Sequence, residues 1–526
     1  MEGFVCSTPR QPDTRITSDY LPTRSMTSFE TSSVIRKSIY SLLAVILAVG
    51  LTACDLTEGF DEDPNAPGDA PDTKVLNSAE VGAILFQDGN HARLTSMFTE
   101  QLNGADRQYA GQDRPQYGVT ASDVNNLWIT GYADAIGDLE VVKRKARSAN
   151  NDLLLGISQA VQALTFGTKA SLHGDVPYQE AVQGNDNLNP SFDSQLLVYD
   201  EAVVSQLDSA ITNISNGGVS PGEDDVFFEG SPAPWIEVAN TLKARYILHM
   251  AHVDEGPASD YSFQDAYDAA EDGISSSNNN LVAPHGLANG VNSNPFWVFR
   301  DERGDDMDAG GSYAARLLDE DSDVYRGNAK TDETDRFDDY FFVDDGGTYD
   351  MAGNASTNDQ PDFFYSQGSD FPIVTYVENE LIKAEAALQS GSQTFADALA
   401  ALNNARLATE QKFGGTYEAY EASDFQSGGI ANPGGLTQEE ALLKEILEEK
   451  YLALISNIEA FADLRRTNNY ADIQAGDEVL EFGGSGDAPE RFPYAQSEVN
   501  GNDNVPDPIP GLFEPVPAFS ANYPTP

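Results

Sequence analysis

Five histidines are the first residues to weigh for chemistry, and two of them, His249 and His252, stand three apart on one helical pattern. That spacing can hold a divalent metal. No third ligand accompanies the pair in sequence, so a buried structural pair is the reading adopted and no metal is expected. Paired carboxylates could hydrolyse glycosides, but with 85 Asp and Glu residues such pairs arise everywhere and carry no signal. Asp301-Glu302-Arg303-Gly304-Asp305-Asp306-Met307-Asp308 lacks the alternating ligands of a calcium loop and reads as a solvated charge run. No nucleophile elbow, phosphate loop or dinucleotide fingerprint is present. The expectation is a non-enzymatic protein with no catalytic residue and no cofactor. Aromatic and guanidinium groups are more telling. Trp297, Phe296 and Arg300 lie in Asn294-Pro295-Phe296-Trp297-Val298-Phe299-Arg300, inside a loop-rich stretch. Tyr109, Arg114 and Tyr117 share a second polar loop. Exposed rings stack on sugars or cover apolar ligands, and Arg supplies donors. These six residues are the ligand-binding candidates; their other role would be to pin down their own loops.

Helices must position these groups, because apolar spacing of three and four runs through most of the chain. Val81, Ile84, Leu85, Leu94, Met97, Phe98 and Leu102 predict helix over 78–110, and Gly104 to Thr120 follows as a polar, aromatic loop. Trp128, Tyr132, Ile136 and Leu139 resume the pattern, Leu153 to Leu172 is a second helix, and Val198 to Ile211 a third. Trp235 to His252 is a strong helix; core packing is the default for Trp128 and Trp235, which are in phase. Residues 273–370 are rich in Gly, Asn, Asp and Ser with aromatic islands, and a zone this long is functional or disordered. Ile373–Leu388 and Phe395–Lys412 read as an αα-hairpin. Thr437 and Glu440 form a capping box that opens a helix striped by Leu443, Leu447, Tyr451, Leu454, Ile458 and Phe461. Strand signals are few. The fold class expected is mainly α, with helix pairs on one scaffold, long irregular loops and few short strands.

The formal net charge of −55 excludes a nucleic-acid partner, which needs cations along the phosphate track. So large an excess repels itself in dilute buffer and is screened in concentrated salt, so it reads as adaptation to high salt. Acidic residues 55–75, broken by Pro and Gly, predict a tether or extended arm.

Before that arm lies the pattern Arg36-Lys37, an apolar run from Ile39 to Gly50, and Leu51-Thr52-Ala53-Cys54. A basic patch, a short apolar core and small residues make a secretory signal, and the run is too short to span a bilayer. A Cys after Leu-x-Ala resembles the lipobox of bacterial lipoproteins. The resemblance implies cleavage before Cys54 and covalent lipid, a palmitate-type acyl group included, on that residue. Residues 1–53 are then the signal peptide, with Met26 an alternative start, and 54–75 the lipidated tether. Cys6 and Cys54 are the only cysteines, so the mature chain keeps one and forms no internal disulfide.

Several downstream segments, in order, resemble the SusD/RagB-like outer-membrane lipoproteins. They are Phe60-Asp61-Glu62-Asp63-Pro64-Asn65; His173-Gly174-Asp175-Val176-Pro177-Tyr178-Gln179-Glu180-Ala181; and the Trp235, Ala239-Asn240, Leu242, Arg245 helix. Phe371-Pro372-Ile373-Val374-Thr375-Tyr376-Val377-Glu378, Glu459-Ala460-Phe461-Ala462-Asp463-Leu464-Arg465-Arg466-Thr467 and Arg491-Phe492-Pro493-Tyr494 complete the series. The resemblance implies one domain over 76–526 on tetratricopeptide-like helix pairs with a loop-built binding face. It implies capture of a nutrient, an oligosaccharide or a peptide, and a role as lid of a SusC-like TonB-dependent β-barrel transporter. It places the protein at the outer membrane, lipid-anchored and facing the exterior, although Asp55 after the lipid site is a retention signal in some bacteria. It suits Gly174, Asp175 and Pro177 to a fixed turn, and Arg465 and Arg466 to buried ion pairs with Asp463 or Glu459. The rival readings are a surface glycosidase or peptidase and a periplasmic helical-repeat scaffold.

Overall fold

Amphipathic stripes and their caps set where the helices begin and end. The structure is a computed structural model that describes residues 70–114, 116–288, 290–353, 363–467 and 488–520. Cys54, the signal sequence and the arm up to residue 69 lie outside the described residues. Helix α1 (Asp72–Asp88) buries Leu76, Ala79, Ala83 and Phe86, so the end of the expected tether is helical from Asp72. The helix expected over 78–110 is interrupted at Gly89: α2 is Asn90–Phe98, and the short α3 is Arg107–Gln112, capped by the Asp106 carboxylate. A further helical run starts as α4 (Asn125–Ile129), widens to a π-helix over Thr130–Gly137 and continues as α5 (Asp138–Ala149).

Helix α6 (Asp152–His173) is the centre of this half. Its residues are buried from Leu153 to its end, because α5, α7 (Gln206–Asn216) and α8 (Pro232–Met250) all pack on it. A helix apolar on every side must be covered on every side. Gly167 allows the approach of α8, since a Cβ there would run into the Tyr246 ring.

The helices stack as neighbours. Helix α8 meets α9 (Phe263–Glu271), α9 meets α11 (Tyr376–Gln389), and α11 forms the expected hairpin with α12 (Phe395–Phe413). The intervening α10 is Pro295–Arg303. The capping box read from sequence is present, Thr437 and Glu440 closing it at α13 (Gln438–Ala453), and Thr375 caps α11 by accepting from the Glu378 N–H. The stripe expected to run on to Phe461 breaks after Ala453 and restarts as α14 (Glu459–Arg466). Ser456 has φ 63°, where a continuing right-handed helix is impossible. The described strands make two-stranded antiparallel ladders; β1 (Leu281–Ala283) pairs with β2 (Phe371–Val374). The fold is mainly helical with few short strands, as the spacing implied. Among the described residues, no helix is long and apolar enough to cross a membrane.

The motif residues are framework. Gly174 (φ 81°) ends α6, and a Cβ there would also crowd the Arg491 guanidinium. The Asp175 carboxylate accepts from the Gln195 N–H, and Asp193 accepts from the Tyr178 and Gln179 N–H groups. Arg245 grips Glu378 with two bonds of 2.6 and 2.7 Å. Arg466 pairs with Asp463, as expected, and also with Glu385. Arg465 departs from the expected ion pair: it donates to the carbonyls of Phe461, Glu490 and Ser171. Lys450 and Arg466 hold Asp463, and His249 bonds Glu459, so the nearby acids are already engaged. Burial accordingly pulls Arg465 down to about 9.

Candidate functional site

Three local structures converge on one cleft of about 570 Å³. From α2 come Asn90 and Arg93; from α3 come Gln108, Tyr109 and Gln112; from α10 come Pro295, Val298, Phe299 and Glu302. Asn294 caps α10 by accepting from the Phe296 and Trp297 N–H groups, and Pro295 takes the first helical position. That start fixes the helix phase. Residues 295, 298, 299 and 302 share the face that meets the cleft.

The floor is a stacked set. The Arg93 guanidinium lies 4.9 Å from the Phe299 ring centroid, and Tyr109 meets the same ring edge-on at 4.9 Å. The Tyr109 hydroxyl donates to Asn90 Oδ1 at 3.1 Å. Two buried polar atoms here, Arg93 Nε and Gln112 Oε1, have no hydrogen-bond partner. A buried group left so costs about 1–3 kcal/mol. Asn126, Asp123 and Ser293 add further donors and acceptors. The His285 imidazole meets buried Asp88 at 3.1 Å. Burial raises the Asp88 carboxyl, and the bond to His285 opposes that shift.

The sequence candidates divide. Tyr109 lines the cleft. Trp297 is half-exposed and stands one position off the cleft-facing stripe of α10. Phe296 is 1% exposed and packs on Tyr365 and Phe371. Arg300 is buried and donates to the Met351 carbonyl at 2.6 Å; burial lowers its pKa. Arg114 pairs with Glu100 and reaches the Gly311 carbonyl. Tyr117 is buried, with its ring edge-on to Phe98 and Phe513. None of these four lines the cleft: Phe296, Arg300 and Tyr117 are rotated inward, and the partly exposed Arg114 is held by Glu100. Arg93, Phe299 and Gln112 were not among the candidates. The Asn-Pro start of α10 is the signal that reveals Phe299; Arg93 has none, since it stands one turn before Met97 on the same side of α2. The His pair packs inside: His249 Nε2 meets Glu459 at 2.6 Å, and burial lowers both imidazoles, His252 to about 3.

Helix pairs carrying a loop-built, polar and aromatic cleft define a binding scaffold. The family model described as "Starch-binding associating with outer membrane", of the SusD-like type, matches residues 64–495. The chain belongs to this SusD-like family. Among curated proteins, none matches it. Solved structures do. A SusD/RagB family protein from Bacteroides thetaiotaomicron is 20% identical with TM-score 0.62, covering 86% of this chain and 100% of that one. A structure described as a chitin-binding protein is 17% identical with TM-score 0.62, over 85% and 100%. A chitin-binding SusD homologue from Flavobacterium johnsoniae is 14% identical with TM-score 0.61, over 85% and 99%. At these identities the likeness establishes the fold.

Proposed function

We propose that this protein is a non-enzymatic surface lipoprotein that captures an oligosaccharide in the α2–α3–α10 cleft. It then presents the sugar, as a lid, to a SusC-like TonB-dependent barrel. The observation that carries the reading is the cleft floor: two rings, a stacked guanidinium and two unpartnered buried polar atoms on the SusD-like scaffold. Rings cover the apolar faces of a sugar while amides and guanidinium meet its hydroxyls. Trp297, half-exposed on the same helix, offers a further ring to a ligand. Lipid on Cys54 anchors the chain at the outer membrane, facing outward, and the acidic arm lets the lid move; one acyl chain alone binds marginally, so several are needed. No resident cofactor takes part.

Because two similar structures are described as chitin-binding, chito-oligosaccharides are the first ligands to titrate, with malto-oligosaccharides beside them. By calorimetry, Tyr109→Ala and Phe299→Ala should each weaken binding about tenfold or more, and Trp297→Ala less. Unchanged affinity in both cleft variants removes the cleft from the reading. Product formation on incubation with the bound sugar would replace it with the hydrolase. Mass spectrometry of Cys54 tests the anchor, and protease shaving of intact cells tests the outward face.

A further inference from the structure

A second groove, of about 650 Å³, lies against α5. It is separated from the cleft by the helical run Asn125–Ala149. Asn126 lines the cleft and Arg144 lines the groove, roughly 25 Å apart along that run. The chain has 30 Lys and Arg against 85 Asp and Glu, yet Lys143-Arg144-Lys145-Ala146-Arg147 puts four cations into five residues. Three of them, Lys143, Arg144 and Arg147, line the groove against one carboxylate, Glu140. That carboxylate is engaged by Lys143 at 2.7 Å and by the Gln162 amide at 2.9 Å. Glu201, at the edge, accepts from Gln179. Arg144 and Arg147 are exposed and make no ion pair among the described residues, although Arg245, Arg326, Arg336 and Arg466 all take carboxylate partners.

The opposite wall is the turn after the Gly-Asp-Val-Pro-Tyr segment, through Tyr178, Gln179, Ala181, Val182 and Gln183. Val182 has φ 52° and is 40% exposed. A β-branched residue there is a genuine outlier, at about 1–3 kcal/mol, and such strain collects at ligand sites. The exposed Gln183 follows it and lines the same groove as Arg144 and Arg147.

We propose that this groove is an oxyanion site for a sugar-sized ligand bearing a carboxylate or sulfate. Paired planar guanidiniums meet such groups with two parallel hydrogen bonds each. Tyr178 and Gln183 supply contacts for ring and hydroxyls. A net-positive groove on so acidic a molecule focuses the field on an anion. The site goes beyond the cleft and does not depend on what the cleft binds.

The test is calorimetry of the full chain with trigalacturonate, its neutral methyl ester and sodium sulfate as competitor. Trigalacturonate should bind, the ester should bind about tenfold or more weakly, and sulfate should compete. Arg144→Gln/Arg147→Gln should lose trigalacturonate binding at unchanged melting temperature. Tyr109→Ala, which alters the cleft, should keep it. Equal binding of acid and ester, an unaffected double variant, or loss in Tyr109→Ala would overturn the proposal. So would binding to phosphatidylglycerol vesicles through the two arginines without any binding of trigalacturonate or sulfate, which would make the surface a lipid contact.

Discussion

His91 is fully buried between the Phe86 and Phe492 rings, and neither of its ring nitrogens has a hydrogen-bond partner. Burial, reinforced by the nearby Lys169 ammonium, lowers its pKa to about 3. The imidazole is therefore neutral in the folded chain, whereas in the unfolded chain it takes up a proton near pH 6.5. The sign follows: its contribution is complete above about pH 6.5 and is lost as pH falls from there toward 3, at up to about 1.4 kcal/mol per pH unit. Urea unfolding at pH 7, 6 and 5 should show falling stability, with a shallower slope in His91→Phe; identical slopes would remove His91 as the cause. None of this could be read from the sequence, where His91 was one histidine among five. Arg466 with Asp463 was legible through the family resemblance, which suited it to a buried pair with Asp463 or Glu459, and i,i+3 spacing on one helix lets the pair form. Arg465 was not, because its carbonyl partners come from segments distant in sequence.

At the scale of elements, helices α11, α13 and α14 are tied by one buried cluster. Glu385 on α11 accepts from the two terminal nitrogens of Arg466 on α14, at 2.5 and 2.6 Å, and from Lys450 on α13. The two cations lower the Glu385 carboxyl despite the opposing effect of burial. Glu385→Gln removes the charge that answers two buried cations, so unfolding should become easier by about 3–5 kcal/mol in denaturant titration. A loss under about 1 kcal/mol would mean that Asp463 alone suffices. The α11–α12 hairpin and the Thr437 capping box were legible because cap chemistry and apolar period agree locally. The breaks at Gly89 and after Ala453 were not, since the apolar stripes continue across them. The stretch 273–370 carries short helices, α10 among them, where Gly and Asn frequency pointed to loop alone.

The whole molecule carries a net charge of −55 while its described interior is laced with paired carboxylates. The excess therefore sits at the surface, where added salt shortens the screening length from about 10 Å at 0.1 M to about 3 Å at 1 M. Relief of self-repulsion should raise the melting temperature by several degrees between those concentrations; a flat or falling melting curve would end the high-salt reading. The sequence by itself determined the helical class, the caps, the ordered SusD-like blocks and the acidic surface, because each rests on local period, local chemistry or composition. Only the tertiary structure decided which rings line the cleft and which pack away from it. It brought Arg93, Tyr109 and Phe299 from three separate segments into one cleft and turned Phe296, Arg300 and Tyr117 inward. The physical reason is helix phase: one position along a helix rotates a side chain by about 100°, and only packing between helices fixes where that rotation leaves it.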